Sequence, residues 1–179
     1  PSWMRRLGVH DTRPELGPDG RPIAGHSCNV LMDLASPALE GLRFDLARGA
    51  SGGEDTAFFD AACRAGARLA LAPAARLDEP VAPSRVRLGW LLKRRFRMGQ
   101  THGSLRRQNR GTGGRAAEIA KAAAKVAYCG AFALLTVPFP ERRNANLLRG
   151  ALHLGTISSL IGIRDLTIYG EGTGVGTGA

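Results

Sequence analysis

Apolar positions along this chain follow two rhythms, and each predicts a different kind of element. Phe58, Phe59 and Ala62 fall at helical spacing behind a Gly-Gly pair, which predicts a helix over about residues 54–65 with Gly66 as its left-handed stop. Leu88, Leu91, Leu92 and Phe96 repeat that spacing in a second helix. It is expected to start behind Ser84 as N-cap, to run to about residue 107 and to be interrupted near Gly99. Residues 116–136 are alanine-rich and helical by composition, and a further apolar helix is predicted over 146–163. Short apolar runs at 28–32 and 68–72, with 76–81 held to a sheet edge by Pro80, read instead as strands. A short helix is predicted at about 36–41.

The remaining segments are punctuated by glycine and proline. Residues 1–25 read as a loop or lid with a short helix near residues 3–7, and Gly111-Thr112-Gly113-Gly114 reads as a linker. That linker lacks the lysine and the preceding strand of a phosphate loop. The tail, residues 170–179, alternates glycine with small residues and is expected to be disordered.

Charge narrows the partners. The chain of 179 residues carries a formal net charge of +10, and residues 80–117 contain no Asp or Glu to offset a run of arginines. An anionic partner follows: a phosphate, a nucleic acid or an acidic membrane face. No helix-turn-helix, zinc or base-stacking pattern supports the nucleic acid. Cys28, Cys63 and Cys129 match neither a metal spacing nor a disulfide framework, which fits a reducing compartment. Residues 126–139 carry no charge, but this stretch falls short of the roughly 20 residues that span a bilayer. With the helix that follows, it reads as a hairpin in or on a membrane face, or as a pair of core helices.

The candidate chemistry centres on Gly52-Gly53-Glu54-Asp55. Glycines at 52 and 53 can take backbone angles closed to other residues and let a ligand approach the main chain. Glu54 and Asp55 then open the helix, where free N–H groups and the helix dipole stabilise negative charge. The pair also fits an ordinary acidic first turn. Asn29, at the start of an apolar run, fits a turn or a ligand contact equally well.

An ordered set of segments surrounds this turn. It comprises Cys28-Asn29-Val30-Leu31-Met32, Leu42-Arg43-Phe44-Asp45, Gly52-Gly53-Glu54-Asp55-Thr56-Ala57-Phe58-Phe59, Arg64-Ala65-Gly66, Pro73, Glu79-Pro80-Val81, Ser84-Arg85 and Trp90-Leu91-Leu92-Lys93-Arg94-Arg95. Over residues 23–110 it resembles the acceptor-side half of family 2 glycosyltransferases, in particular the bacterial enzymes of succinoglycan and other exopolysaccharide synthesis. The resemblance implies an α/β fold, a partial GT-A domain over 1–110, followed by a C-terminal helical hairpin over 111–169 that associates with a membrane. It implies inverting transfer of a sugar from a nucleotide-diphosphate sugar to a glycan or lipid-linked acceptor, at the cytoplasmic face of a bacterial inner membrane.

In that reading Asp55 is the catalytic base and Glu54 shapes the site. Asn29, Gly52, Gly53, Trp90, Arg94 and Arg95 meet substrate, with Arg94 expected to face the cleft more squarely than Arg95 or Arg97. A divalent metal, Mg2+ or Mn2+, is expected in the complete enzyme. This chain departs from the pattern in having no Asp-x-Asp, so its metal ligands are unknown. The nucleotide-binding half is expected to precede residue 1, leaving the chain a fragment that is inactive alone. Processive relatives carry a final Trp where Arg94-Arg95-Phe96-Arg97 is followed by Met98, which argues for addition of single sugars. The competing class is a basic, non-catalytic module that binds a membrane or nucleic acid.

Overall fold

The computed structural model describes residues 1–13, 15–46, 52–108 and 112–168. Among the described residues five α-helices carry the fold: α1 (Ser2–Arg6), α2 (Glu54–Arg64), α3 (Leu88–Gln108), α4 (Thr112–Leu135) and α5 (Pro140–Leu160). Short 3-10 turns stand at Ser27–Asn29, Pro37–Leu39 and Pro83–Arg85. Among the described residues there is no strand, only one isolated antiparallel bridge between Leu16 and Pro22. The α/β, partial GT-A reading is therefore corrected to an all-helical one.

The reason lies in pairing. A run becomes a strand only when a neighbour takes its N–H and C=O groups, and nothing among the described residues lies alongside 28–32, 68–72 or 76–81 as a strand. Val30 is extended, with φ −144° and ψ 140°, yet Leu31 is 99% exposed and Leu34 80%. Those runs are apolar without being core.

The helices follow the sequence more closely. α2 begins and ends where its pattern predicts. Gly66, at φ +93°, lets its N–H reach the carbonyl of Cys63 at 3.0 Å, while Ala67 N–H reaches that of Ala62 at 2.9 Å. This pair of bonds is the Schellman stop that glycine allows. Ser84 is not the N-cap of α3; it lies inside the 3-10 turn, and α3 starts at Leu88. The described part of 111–169 forms α4 and α5, joined through Pro138, and α5 runs from Pro140 to Leu160 rather than over 146–163. Its first helix starts at Thr112, so residues 112–114 are helical rather than linker. Gly111 and the tail from residue 169 lie outside the described residues.

Nor does Gly99 interrupt α3. It lies against α5, where a Cβ at Gly99 would overlap the carbonyl oxygen of Leu152, and a Cβ at Gly155 would overlap that of Phe96. One turn along, a Cβ at Gly103 would stand 2.6 Å from the Thr156 carbonyl oxygen. The two backbones approach across a seam of small residues, close enough for Cα–H groups to meet carbonyl oxygens. α5 packs along α3 on this side and along α4 on the other. Leu91 and Leu148 gather Met4 and Val9 into the main apolar cluster, which seats α1 and the following loop on α3. Arg6 pairs with Glu141 across the α1–α5 contact. Arg106 reaches the buried carboxylate of Glu118 at 2.6 Å, tying α3 to α4.

Close packing makes these glycines unequal. Gly99→Ala and Gly155→Ala should each destabilise the chain by about 1–3 kcal/mol, the cost of overpacking. Gly130→Ala, with nothing within 4 Å of the added methyl, should be neutral or stabilise by up to about 1 kcal/mol through helix propensity. Urea denaturation of the three variants reads this directly. A Gly99→Ala protein as stable as wild type would mean that the seam is looser than described.

Candidate functional site

The Gly-Gly turn is built by α3. Gly52 and Gly53 both lie in the left-handed region, at φ +78° and +90°, where a side chain is strained. Arg97, only 2% exposed, donates from Nη2 to the Gly52 carbonyl at 2.8 Å and from Nη1 to Thr101 Oγ1 at 2.8 Å. Thr101 in turn leaves no room at Gly53, where a Cβ would lie 2.5 Å from Oγ1. Arg97 also pairs with Asp165 at 3.0 Å. Its planar fork suits three partners fixed at different angles.

α2 then starts with its carboxylates presented at the free N–H end of the helix. Asp55 Oδ2 accepts the N–H of Ser27 at 3.0 Å. Asp55 Oδ1 and Glu54 Oε2 are shielded and have no hydrogen-bond partner in the structure. Below them, Phe58 stacks on Phe44 with ring centroids 4.2 Å apart and meets Phe59 edge-on, which fixes the helix on its loop. A Cβ at Gly25 would run into the Phe59 ring, so residues 25–27 press directly onto α2.

Beside this segment opens a pocket of about 450 Å3 lined by Arg5, Arg6, Arg13, His26, Arg94 and Arg95 among others, with Asp11 as its one acid. His26 in its lining directly precedes Ser27, whose N–H Asp55 accepts. Burial, and then the charge of Arg94, lower the pKa of Arg95.

The expected residues sort as follows. Glu54, Asp55, Gly52 and Gly53 stand together at the start of α2. Arg94 and Arg95 line the basic pocket together. Trp90 is enclosed rather than open: His10 stacks on it at 6.2 Å between ring centroids, and the guanidiniums of Arg94 and Arg85 lie 5.6 and 5.7 Å from its ring. Asn29 donates to the Ala75 carbonyl at 2.9 Å and so joins two loops. Arg97, expected to be peripheral, holds the turn. The missed signal was phase: Arg97, Gln100 and Thr101 stand at i, i+3 and i+4 and so share one face of α3. Among the described residues no three His, Cys, Asp or Glu side chains stand close enough to hold a metal ion. The donors here do not by themselves fit the divalent ion that the resemblance implies.

This chain is similar to a succinoglycan biosynthesis protein. It is 43% identical over 170 residues to the succinoglycan biosynthesis protein ExoM of Rhizobium meliloti (strain 1021). The match covers 95% of this chain, which spans 55% of that relative's length. No protein-family model and no solved structure matches the chain.

Arg97→Lys keeps one charge but cannot reach three partners, and should cost about 1.5–3 kcal/mol, the range for hydrogen bonds to charged groups. Arg94→Lys and Arg95→Lys, which line the basic pocket, should stay within about 0.5 kcal/mol of wild type. Denaturation midpoints of the three variants test the difference.

His102 makes stability depend on pH. Burial lowers its pKa from 6.5, with Glu15 opposing and Arg106 reinforcing the shift. A depressed histidine pKa means that the unfolded chain takes up its proton first as the pH falls. Stability is therefore full above about pH 6.5 and declines below it until the folded pKa is reached. His10 and His153 are lowered in the same direction, mainly by burial. Urea midpoints should fall between about pH 7.5 and about pH 5.5, and His102→Gln should narrow the gap. An unchanged gap in that variant would remove His102 from the account.

Proposed function

We propose that this chain supplies the acceptor side of an inverting glycosyltransferase of exopolysaccharide synthesis. It would move a sugar from a nucleotide-diphosphate sugar to a glycan or lipid-linked acceptor at the cytoplasmic face of a bacterial membrane. The observation that carries the reading is the Asp55 carboxylate. One of its oxygens accepts the N–H of Ser27 and the other is shielded and has no partner, while His26, next to Ser27 in the chain, lines an arginine-rich pocket. Similarity to a protein of succinoglycan biosynthesis supports the substrate class.

The chemistry assigns each group one task. An acceptor hydroxyl attacks the anomeric carbon as its proton passes to Asp55 Oδ1. The new C–O bond forms opposite the bond to the diphosphate, which breaks with its electron pair, so configuration inverts. Ser27 holds the carboxylate oriented throughout, as a general base requires. Negative charge gathering on the leaving diphosphate is met by Arg94 and Arg95, whose planar donors match phosphate oxygens. Glu54, alongside, binds sugar hydroxyls.

Asp55→Asn in the full-length protein should lower transfer by about 10²–10⁴-fold, the usual contribution of a general base. It keeps the shape of the side chain and its bond to Ser27, so donor binding should persist. Single-turnover transfer and donor titration, run together, separate the two effects. A variant that keeps more than about a tenth of the wild-type rate would sink the assignment of Asp55 as base.

A further inference from the structure

The chain turns back on itself after α5, and its return path leads to the residue that holds the Gly-Gly turn. α5 ends in a glycine stop. Gly162, at φ +88°, sends its N–H to the Ser159 carbonyl at 3.0 Å, and Ile163 N–H reaches that of Ser158 at 2.9 Å. Residues 164–166 then meet α3. Apolar burial does not hold them there, since Ile161 and Ile163 are exposed and Leu166 is only partly covered. Polar contacts do. The buried Gln100 donates to the Arg164 carbonyl at 3.2 Å and accepts the N–H of Leu166 at 2.8 Å. Between those two bonds, Asp165 Oδ2 lies 3.0 Å from Nη2 of Arg97.

Asp165 thereby completes a line of contacts that ends at the first turn of α2. Arg97 is buried in a stretch, residues 80–117, that contains no Asp or Glu of its own. A buried guanidinium stripped of a charged partner is strongly disfavoured, and Asp165 brings one from beyond α5. The same Nη2 donates to the Gly52 carbonyl at 2.8 Å. Gly53, next along, gives its carbonyl to Ala57 N–H at 3.1 Å, the first backbone bond of α2, and Glu54 and Asp55 stand inside that turn. One nitrogen thus bridges a carboxylate behind it and the turn in front. If Arg97 moves, the turn loses its hold.

We propose that Asp165 is a positioning residue for transfer: it anchors Arg97, which grips the Gly52–Gly53 turn and so sets where Asp55 points. The inference rests on the reading of Asp55 as base. It extends the site to a residue beyond α5 that does not line the basic pocket.

Asp165→Asn keeps the shape and an acceptor oxygen but removes the charge. In the full-length protein it should lower kcat by about tenfold to about 10²-fold, the scale of misplacing a reacting group by about 1 Å, with KM for the donor within about twofold of wild type. Asp165→Glu, which restores the charge, should recover part of the loss. Glu118→Gln, which removes the acid of the α3–α4 ion pair, should leave kcat unchanged and so controls for loss of an ion pair alone. The double variant Arg97→Lys, Asp165→Asn should be no slower than Arg97→Lys, because residues that act through one another do not add.

A second readout needs no transfer. Hydrogen exchange followed by mass spectrometry should rise over residues 52–59 in Asp165→Asn and stay at the wild-type level in α4. Circular dichroism melts check folding, and Asp165→Ser, also uncharged, offers a second variant should Asp165→Asn misfold. Unchanged exchange over 52–59, or additive losses in the double variant, would overturn the proposal. So would a wild-type kcat for Asp165→Asn in a protein that Asp55→Asn inactivates. Raised exchange beside an Asp55→Asn protein that keeps its rate would count against Asp55 as base and leave the link from Asp165 through Arg97 to the turn standing.

Discussion

Everything in this fold leans on the contact between α3 and α5. Side chains normally hold helices 8–10 Å apart, but Gly99, Gly103 and Gly155 remove them, and the carbonyls of Leu152 and Phe96 occupy the space. Neither helix can slide or roll without driving a carbonyl into a backbone. Once α3 is fixed in register, its other faces are fixed as well. One carries Arg97 and Thr101 to the Gly-Gly turn, another presents Arg94 and Arg95 to the basic pocket, and a third offers Leu92 and Phe96 to an apolar groove shared with α4 and α5.

Arg97 shows how a buried cation can serve position rather than stability. Burying a guanidinium costs desolvation that its partners barely offset, and an apolar residue would pack the interior as well. What an apolar residue could not do is fix a carbonyl, a hydroxyl and a carboxylate at once. The Gly52 carbonyl, Thr101 and Asp165 are held in this way. Gln100 adds a second latch on the same face. Its amide donates to Ser158 Oγ and the Arg164 carbonyl, and its oxygen accepts the N–H of Leu166, so the segment after α5 is fastened to α3. Asp55 owes its placement to this polar seam as much as to the ring contacts of Phe44, Phe58 and Phe59 that seat α2.

The legible part of the sequence was its local chemistry. Helix α2 could be read from Gly53 to Gly66 because its start, its apolar face and its stop all lie within a few neighbouring residues. The α4–α5 hairpin could be read for the same reason, from composition and from Pro138 and Pro140. Strands were misread because pairing is not local: runs such as 28–32 and 68–72 have the composition of strands, and nothing in their own residues reveals whether a partner lies beside them. Arg97 was misread because a charge count treats all arginines in an acid-free run alike. The i, i+3, i+4 spacing of Arg97, Gln100 and Thr101 was in the sequence; it carries meaning only once that face is known to be buried.

Helix α3 also determines where the chain can tolerate a change of length. Each residue advances the helix by about 100°, so inserting or deleting one within 92–100 would rotate every later side chain away from its partner. Arg97 would leave the Gly52 carbonyl, Gln100 would leave the Leu166 amide, and Gly99 would no longer face Leu152. Loss of one residue from the extended stretch 67–81, whose backbone binds little beyond its own turns and Asn29, would be absorbed by slack. Over evolutionary time this helix should therefore vary in the identity of its outward residues but not in its count, while the loops around it gain and lose residues freely.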